Sequence, residues 1–337
     1  MLTPPDGLRL DLLEAAVQDG WGLRSVELDY RALGFGSHHW EVRAAGGDRW
    51  FATLDELQAR RTERDEPLDS VYGRLRASVK AAADLRLAGL EFAASPVPTV
   101  TGEPMIRLSE AFSLALYPFI DGRSYVWGEY FSPEHRRAIL DHVVAIHTAP
   151  ALTRRHALRD DLAIGHRAEL DLVLDGWRPP AGAPACGPYE QPTLELVARF
   201  EPGIRDLLAV YDELAAKVVA RPERAVLTHG EPHVANSMLT ETGWVLIDWD
   251  TALISPPERD LCNLDPGDGS ILAAYEGATG TVLLPEALEL FRRRWDLADL
   301  AIAVSQFTEP HSGNANDAES FELLGGLLER ATGLSST

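Results

Sequence analysis

Residues 229–239 read HGEPHVANSML and residues 244–250 read WVLIDWD, and these two stretches decide how the chain is interpreted. They contain three oxygen-bearing side chains, Glu231, Asn236 and Asp248. A carboxylate placed beside a hydroxyl group accepts its proton, and the oxygens of Asn and Asp are hard ligands that suit Mg²⁺. The pattern therefore predicts one proton acceptor, Glu231, and two metal ligands, Asn236 and Asp248.

The order and spacing of these groups match a kinase catalytic loop and metal site. Four residues separate Glu231 from Asn236, and Asp248 follows an apolar stretch that predicts a strand. Together with ERDL at 258–261, they resemble the core of aminoglycoside phosphotransferase-like enzymes. The resemblance implies transfer of the γ-phosphoryl group of ATP or GTP, with Mg²⁺, to an alcohol group of a small molecule. It also implies an α+β, bilobal protein-kinase-like fold with a small β-rich N-lobe and a larger, mainly helical C-lobe.

The resemblance also implies roles for individual residues. Glu231 would be the catalytic base, although the family usually has Asp at this position, and His229 would brace the loop. Asp260 matches a structural aspartate of the family. A glycine loop would approach the phosphates through its backbone amides, and a hinge segment would receive the base. The nucleotide-binding residues implied in this way are Gly34, Gly36, Ser37, Tyr117 and Phe119.

With 337 residues, the chain is long enough for two parts, each with its own core. The stretch SLALYPFIDG at 113–122 is apolar, breaks at Pro118 and ends in a turn. We therefore place a nucleotide-binding N-lobe at 1–118, with a hinge near 117–122. The helical C-lobe, with the catalytic loop, metal site and substrate site, is placed at 123–337.

Apolar periodicity and turn residues predict the secondary structure. An opening helix ends at Gly20, and Ser132 is the N-cap of a later one. Further helices are expected at 71–88, 132–148, 193–219 and from 283 onward, and strands at 25–33, 38–44, 49–54, 225–228 and 244–248.

The third strand departs from the family pattern. Thr53 stands where the resemblance places an ATP-binding lysine, and the helix at 71–88 contains no glutamate to pair with a lysine. The joint loss is self-consistent, because an unpaired buried carboxylate is unfavourable. Lys80 or Arg49 would then supply the phosphate-binding charge; otherwise both are ordinary surface residues.

The charge balance of the chain indicates what kind of acceptor it would bind. The chain has 52 acidic and 31 basic side chains, a formal net charge of −21. This argues against nucleic acid as a partner and favours a cationic small molecule, because acidic surfaces repel phosphate backbones and attract cations. We expect an aminoglycoside or aminocyclitol antibiotic-like acceptor, and a role in antibiotic resistance. Carboxylates that would hold ammonium groups, unless they are merely solvated, are Asp160, Asp161, Glu169, Asp171, Asp175, Asp265 and Asp268. Aromatic residues that would line the site, unless they belong to the core, are Trp127, Trp177 and Trp249.

Two other functions stay open. A catalytically inactive kinase-fold protein that binds nucleotide or a metabolite would account for Thr53. His229, Glu231 and His233 alternate along an extended segment, which would also suit a zinc-dependent hydrolase. The cysteine pair of a zinc deaminase is missing from this pattern.

Location is indicated by what the sequence lacks. Cys186 and Cys262 are far apart and without paired spacing, as in a reducing cytoplasm. The first residues do not have the basic start and apolar core of a secretory signal. No stretch approaches the roughly 18 apolar residues of a membrane helix. We expect a cytoplasmic protein without a membrane partner.

Overall fold

The structure is a computed structural model that describes residues 1–34, 36–126, 132–179, 182 and 184–333. It divides into two compact units. The first consists of Met1–Arg60, Pro67–Asp160 and Glu223–Leu283, and the second of Arg61–Glu66, Asp161–Pro222 and Leu284–Thr337. The lobe boundary placed at 118 from the sequence stays a prediction.

The secondary structure follows the chain in this order. The strands are β1 Val26–Arg31, β2 Ser37–Ala44, β3 Arg49–Glu56, β4 Ile106–Arg107, β5 Phe112–Pro118, β6 Arg123–Ser124, β7 Val226–Thr228, β8 Ser237–Thr240, β9 Gly243–Leu246 and β10 Leu253–Ser255. The helices are α1 Leu10–Trp21, α2 Leu68–Leu87, α3 Pro133–His147, α4 Arg167–Leu174, α5 Glu190–Val219, α6 Glu258–Leu261, α7 Ser270–Thr279, α8 Pro285–Phe307 and α9 Ala315–Thr332.

A five-stranded antiparallel sheet forms the N-terminal part of the first unit, in the order β1, β2, β3, β5, β4. The register places Thr53 of β3 between His39 of β2 and Ala115 of β5. Apolar residues of α1 pack with the sheet in a core cluster whose buried members include Leu13, Val17, Trp21, Trp40 and Leu54. A second cluster joins α2 to the sheet through Val71, Leu75, Leu57, Met105 and Ala115.

The rest of the first unit carries short strands between helices. Strands β6, β8 and β9 form one antiparallel sheet, and β7 pairs with β10. In the second unit, α4, α5, α8 and α9 pack with one another. The α+β class is confirmed, with a small antiparallel sheet in the N-terminal part and a larger, mainly helical remainder. Among the described residues no helix is both long and apolar enough to cross a membrane.

One predicted helix end was wrong. Gly20 lies inside α1, and the helix ends where Gly22 adopts the left-handed conformation, φ 67°. A glycine ends a helix only when it takes up that conformation, which the sequence does not reveal. The helices expected from 283 onward are present as α8 and α9, which are separated where Pro310 lacks a backbone donor and Gly313 has φ 73°.

The predicted N-cap of α3 is confirmed, since the Ser132 side chain accepts a hydrogen bond from the backbone N–H of His135 at 3.1 Å. We expect Ser132→Ala to lower the free energy of unfolding by about 1 kcal/mol, because this N–H loses its acceptor. Ser132→Thr, which keeps the oxygen, should lose clearly less. Urea denaturation of the three proteins measures both effects, and equal midpoints for all three would contradict the prediction.

Candidate active site

One carboxylate fixes the start of the loop between β7 and β8. Asp260, in α6, accepts hydrogen bonds from the backbone N–H groups of His229 at 2.9 Å and Gly230 at 2.7 Å. Its Oδ2 atom also lies 3.0 Å from Nε2 of His147 in α3. Gly230 has φ +102°, and a Cβ atom there would lie 2.5 Å from Arg259, so the sharp bend requires glycine. Asp260 therefore anchors the loop to α3 and α6.

Asp260 is ionised despite its position in the interior. Burial by itself would raise its pKa, but the hydrogen bond with His147 and the positive charge of Arg259 outweigh burial and lower the pKa. The two loop amides therefore donate to a full negative charge, which makes both hydrogen bonds stronger than neutral ones.

His229 joins the loop to the segment that carries Asp248. Its buried imidazole donates from Nε2 to the carbonyl oxygen of Ile247 at 2.9 Å, and Nδ1 accepts from the backbone N–H of Glu231 at 3.3 Å. Burial lowers the pKa of His229. A neutral ring with its proton on Nε2 satisfies both partners. This geometry fits the bracing role predicted for His229.

The predicted base, Glu231, and the first predicted metal ligand, Asn236, are the third and the last residues of the loop. Nδ2 of Asn236 donates to the carbonyl oxygen of Glu231 at 3.1 Å, so the amide oxygen is the atom presented to a cation. The carbonyl of Asn236 accepts from the N–H of Ile247 at 2.9 Å, which ties the loop to the residue before Asp248. The Glu231 side chain keeps 36% of its surface exposed, as a base that must reach an external hydroxyl requires.

Asp248 occupies an unusual backbone conformation in an acidic environment. Its φ is +63°, in the left-handed region that few residues other than glycine adopt. The side chain is exposed to solvent, yet repulsion by Asp250 and the surrounding protein raise its pKa well above the ordinary value, and the charge of Glu231 adds to this. Arg60 acts in the opposite direction. Carboxylates that repel one another are stabilised by a divalent cation, so Asn236 and Asp248 fit Mg²⁺ with phosphate oxygens as further ligands.

The geometry does not favour the zinc alternative. The described part of the chain has no group of three His, Cys, Asp or Glu side chains that could hold a metal ion. Nε2 of His233 lies 3.5 Å from the Glu231 carboxylate, but both ring nitrogens of His229 are engaged within the loop region. A Mg²⁺ site differs, because it takes much of its coordination from phosphate and water.

The predicted nucleotide loop lies between β1 and β2. Gly34 has φ 62° and Gly36 has φ 84°, while Phe35 is outside the described residues. Ser37 begins β2, and its buried hydroxyl donates to Oδ1 of Asp55 at 2.8 Å. The loop is thus tied to the end of β3, and its contact with phosphates stays a prediction.

The predicted hinge continues from β5. The N–H of Phe119 donates to the carbonyl oxygen of Arg49 at 3.3 Å, and the guanidinium of Arg49 lies 4.1 Å from the Phe119 ring. Burial raises the pKa of Tyr117, and nearby acidic charges, Asp55 first, raise it further. The phenol of Tyr117 therefore lies near the carboxylates of the site. Base binding by Tyr117 and Phe119 stays a prediction.

Thr53 occupies the predicted lysine position without supplying a charge. Its hydroxyl lies 3.3 Å from Nδ1 of His39, and burial lowers the pKa of His39 to about 4, so this ring is also neutral at pH 7. Arg49, proposed from the sequence as a replacement cation, pairs with Asp121 at 2.6 Å. Lys80, the other such residue, lies in α2.

Arg60 is a cation of the site that sequence reasoning missed. Its guanidinium pairs with Asp55 at 2.8 Å and with Asp250 at 2.8 Å, and it donates to the hydroxyl of Ser37 at 2.6 Å. The chain shows a pair of basic residues at 60 and 61 after an acidic strand end. This is an ordinary surface pattern, and only the fold identifies which carboxylates Arg60 meets.

The acids predicted to hold the acceptor have partners within the protein. The side chain of Asp160 is buried and accepts from the hydroxyl of Ser255 at 2.7 Å. The others accept from backbone amides or pair with arginines; they are Asp161, Glu169, Asp171, Asp175, Asp265 and Asp268. Trp249 is buried, Trp177 is half-buried and Trp127 lies outside the described residues. Most of these side chains therefore have the structural duties that the sequence left open.

Comparisons with known proteins place this geometry in a wider context. A sequence model described as the phosphotransferase enzyme family, APH, matches residues 34–296. Protein StrN of Streptomyces griseus is 28% identical over 257 residues, which cover 73% of this chain and 75% of StrN.

Solved structures are similar over nearly the whole chain. Spectinomycin phosphotransferase APH(9)-Ia, in complex with ADP and spectinomycin, superposes with a TM-score of 0.70 at 14% identity, covering 98% of this chain and 100% of that one. Plasmodium vivax ethanolamine kinase gives a TM-score of 0.57 at 12% identity, covering 98% of this chain and 85% of that one. At such identities the likeness concerns the fold, and the kinase-like fold predicted from the sequence is confirmed.

Proposed function

We propose that this chain, which belongs to the phosphotransferase enzyme family, transfers the γ-phosphoryl group of ATP or GTP to a hydroxyl group of a small cationic molecule. The main support is the loop that Asp260 anchors through two amides. This loop presents Glu231 and Asn236, and the carbonyl of Asn236 accepts from the N–H of the residue before Asp248. A base and two metal ligands are thereby held by one hydrogen-bonded framework.

The residues have the following tasks in the proposed reaction. Glu231 takes the proton of the acceptor hydroxyl while the hydroxyl oxygen forms a bond to the γ-phosphorus. The bond to the β–γ bridging oxygen breaks, and the nucleoside diphosphate leaves. Asn236 and Asp248 would hold Mg²⁺, which when bound neutralises charge on the phosphates. His229 keeps the loop in register with Asp248.

We propose an aminoglycoside or aminocyclitol as the acceptor, with a role in antibiotic resistance. The net charge of −21 favours cationic molecules, and the structural relative named above is a spectinomycin phosphotransferase. An amino alcohol is the second choice, since another relative is an ethanolamine kinase. We place the reaction in the cytoplasm, where nucleoside triphosphates are made.

Removal of the metal tests the reaction. With Mg²⁺-ATP or Mg²⁺-GTP and a panel of aminocyclitols, aminoglycosides, amino alcohols and neutral sugars, we expect nucleoside diphosphate release and a phosphorylated product from a cationic acceptor. Chelation with EDTA should lower the rate by about 100-fold or more, and added Mg²⁺ should restore it. Turnover that is insensitive to chelation would contradict the assignment of Asn236 and Asp248.

The same panel decides between catalysis and the inactive alternative. Thr53 in place of the lysine favours a protein that binds nucleotide without turnover. Nucleotide binding with no product from any acceptor would support that function. Phosphorylation of neutral sugars alone would instead refute the cationic acceptor.

A further inference from the structure

The nucleotide phosphates need a protein cation that Thr53 cannot supply. In kinase-type sites a lysine on the third strand, paired with a helix glutamate, contacts the phosphates. Here the Thr53 hydroxyl faces the neutral ring of His39, and α2 contains no glutamate. The positive charge must therefore come from another residue within reach of the glycine loop and the metal ligands.

Arg60 contacts two of the segments that would surround the phosphates. It donates from NH2 to the hydroxyl of Ser37, at the end of the glycine loop, at 2.6 Å. A Cβ atom on Gly36 would lie 3.3 Å from its guanidinium, so the loop backbone approaches the charge closely. NH1 lies 2.8 Å from the Asp250 carboxylate, two residues beyond Asp248. The guanidinium therefore contacts both the predicted phosphate loop and the segment that carries Asp248, one of the predicted metal ligands.

Asp55 holds Arg60 in this position. Both Nε and NH2 of Arg60 donate to its Oδ1 atom, at 3.1 and 2.8 Å, and the Asp55 side chain is only 8% exposed. A guanidinium fixed along one edge keeps its NH1 group directed away from that partner, toward Asp250. The NH1 edge is thus the part that would meet a phosphate oxygen.

We propose that Arg60, positioned by Asp55, binds the phosphates of the nucleotide and takes the place of the missing lysine and glutamate pair. The inference rests on the proposed function, because it assumes that a nucleotide occupies this site. Arginine suits the task since it is charged at every physiological pH and its planar donors match phosphate oxygens. The pair of Arg60 and Asp55 also explains why β3 needs no lysine at position 53.

The test measures binding of ATP, ADP and the corresponding nucleoside by titration calorimetry. Arg60→Met should weaken ATP and ADP binding by about 10- to 100-fold, the effect of losing a charge-assisted hydrogen bond, and leave nucleoside binding unchanged. Arg43→Met is the matched control, because Arg43, in β2, likewise pairs with a carboxylate, that of Glu41, at 2.7 Å. It should leave all three affinities unchanged.

A structural role for Arg60 predicts a different pattern. Loss of affinity that is equal for the nucleoside and the nucleotides, or no loss at all, would overturn the proposal. Should Arg60→Met fail to fold because Asp55 loses its partner, the double variant Arg60→Met/Asp55→Asn removes that charge and should show the same selective loss. Binding is measured without turnover, so a catalytically inactive chain gives the same result. A wild-type chain that binds no ATP would refute both this inference and the proposed function.

Discussion

Replacement of Glu231 by Gln is expected to lower kcat by about 10²- to 10⁴-fold, the usual contribution of a positioned general base. Gln keeps the size of the side chain but cannot accept the hydroxyl proton. The loop conformation depends on backbone groups of Glu231, whose N–H and carbonyl bond to His229 and Asn236, and these groups are unchanged. Nucleotide affinity and thermal stability should therefore stay at wild-type values.

Steady-state kinetics with a saturating acceptor measures this effect. Glu241→Gln is the control, because Glu241 is an exposed acid at the β8–β9 turn and should leave kcat unaltered. Glu231→Asp restores the residue usual in the family and shortens the reach by about 1.5 Å, so it should keep more activity than Glu231→Gln. Wild-type kcat in Glu231→Gln would show that another group accepts the proton.

Replacement of Asp260 by Ala is expected to destabilise the first unit by about 3–5 kcal/mol, as is found when one partner of a buried charged network is removed. The variant leaves the N–H groups of His229 and Gly230 without their acceptor, and it removes the partner of His147. Activity should fall with stability, because the loop that carries Glu231 loses its anchor.

Urea denaturation at several pH values checks this prediction. The pKa of Asp260 is lowered by folding, so its stabilisation is present above the unfolded value of about 3.9 and is lost as pH falls below it. The difference in the free energy of unfolding between the wild type and Asp260→Ala should therefore become smaller in that acidic range. Asp268 is exposed and accepts a hydrogen bond from the backbone N–H of Ser270. Asp268→Ala removes this acceptor and should lower the free energy of unfolding much less. Equal losses of unfolding free energy in Asp260→Ala and Asp268→Ala would refute the anchoring role of Asp260.

The parts of the candidate site that the sequence predicts are local in the chain. Glu231, Asn236 and Asp248 lie within 20 positions of one another, and their spacing reflects a loop and a strand that repeat in one family. Ser132 was recognisable for the same reason, because a cap and its helix are adjacent. Groups that are close in the chain form spacing patterns that can be recognised in the sequence itself.

The parts that were missed depend on contacts between distant segments. Arg60 becomes a site residue only because the chain brings Asp250, 190 positions later, to its guanidinium. The two-residue strands β4 and β6 are too short to show any periodicity. Acids such as Asp160 were expected near the acceptor because a sequence does not indicate which carboxylates bond internally.

The backbone of Asp248 has a consequence for how this protein can evolve. The left-handed conformation costs a residue other than glycine roughly 1–2 kcal/mol of conformational free energy, so glycine would be more stable at this position. Selection for robustness alone would therefore tend to erase the aspartate. An aspartate in this conformation, among neighbours of like charge, costs stability, and the proposed metal-binding role would account for that cost.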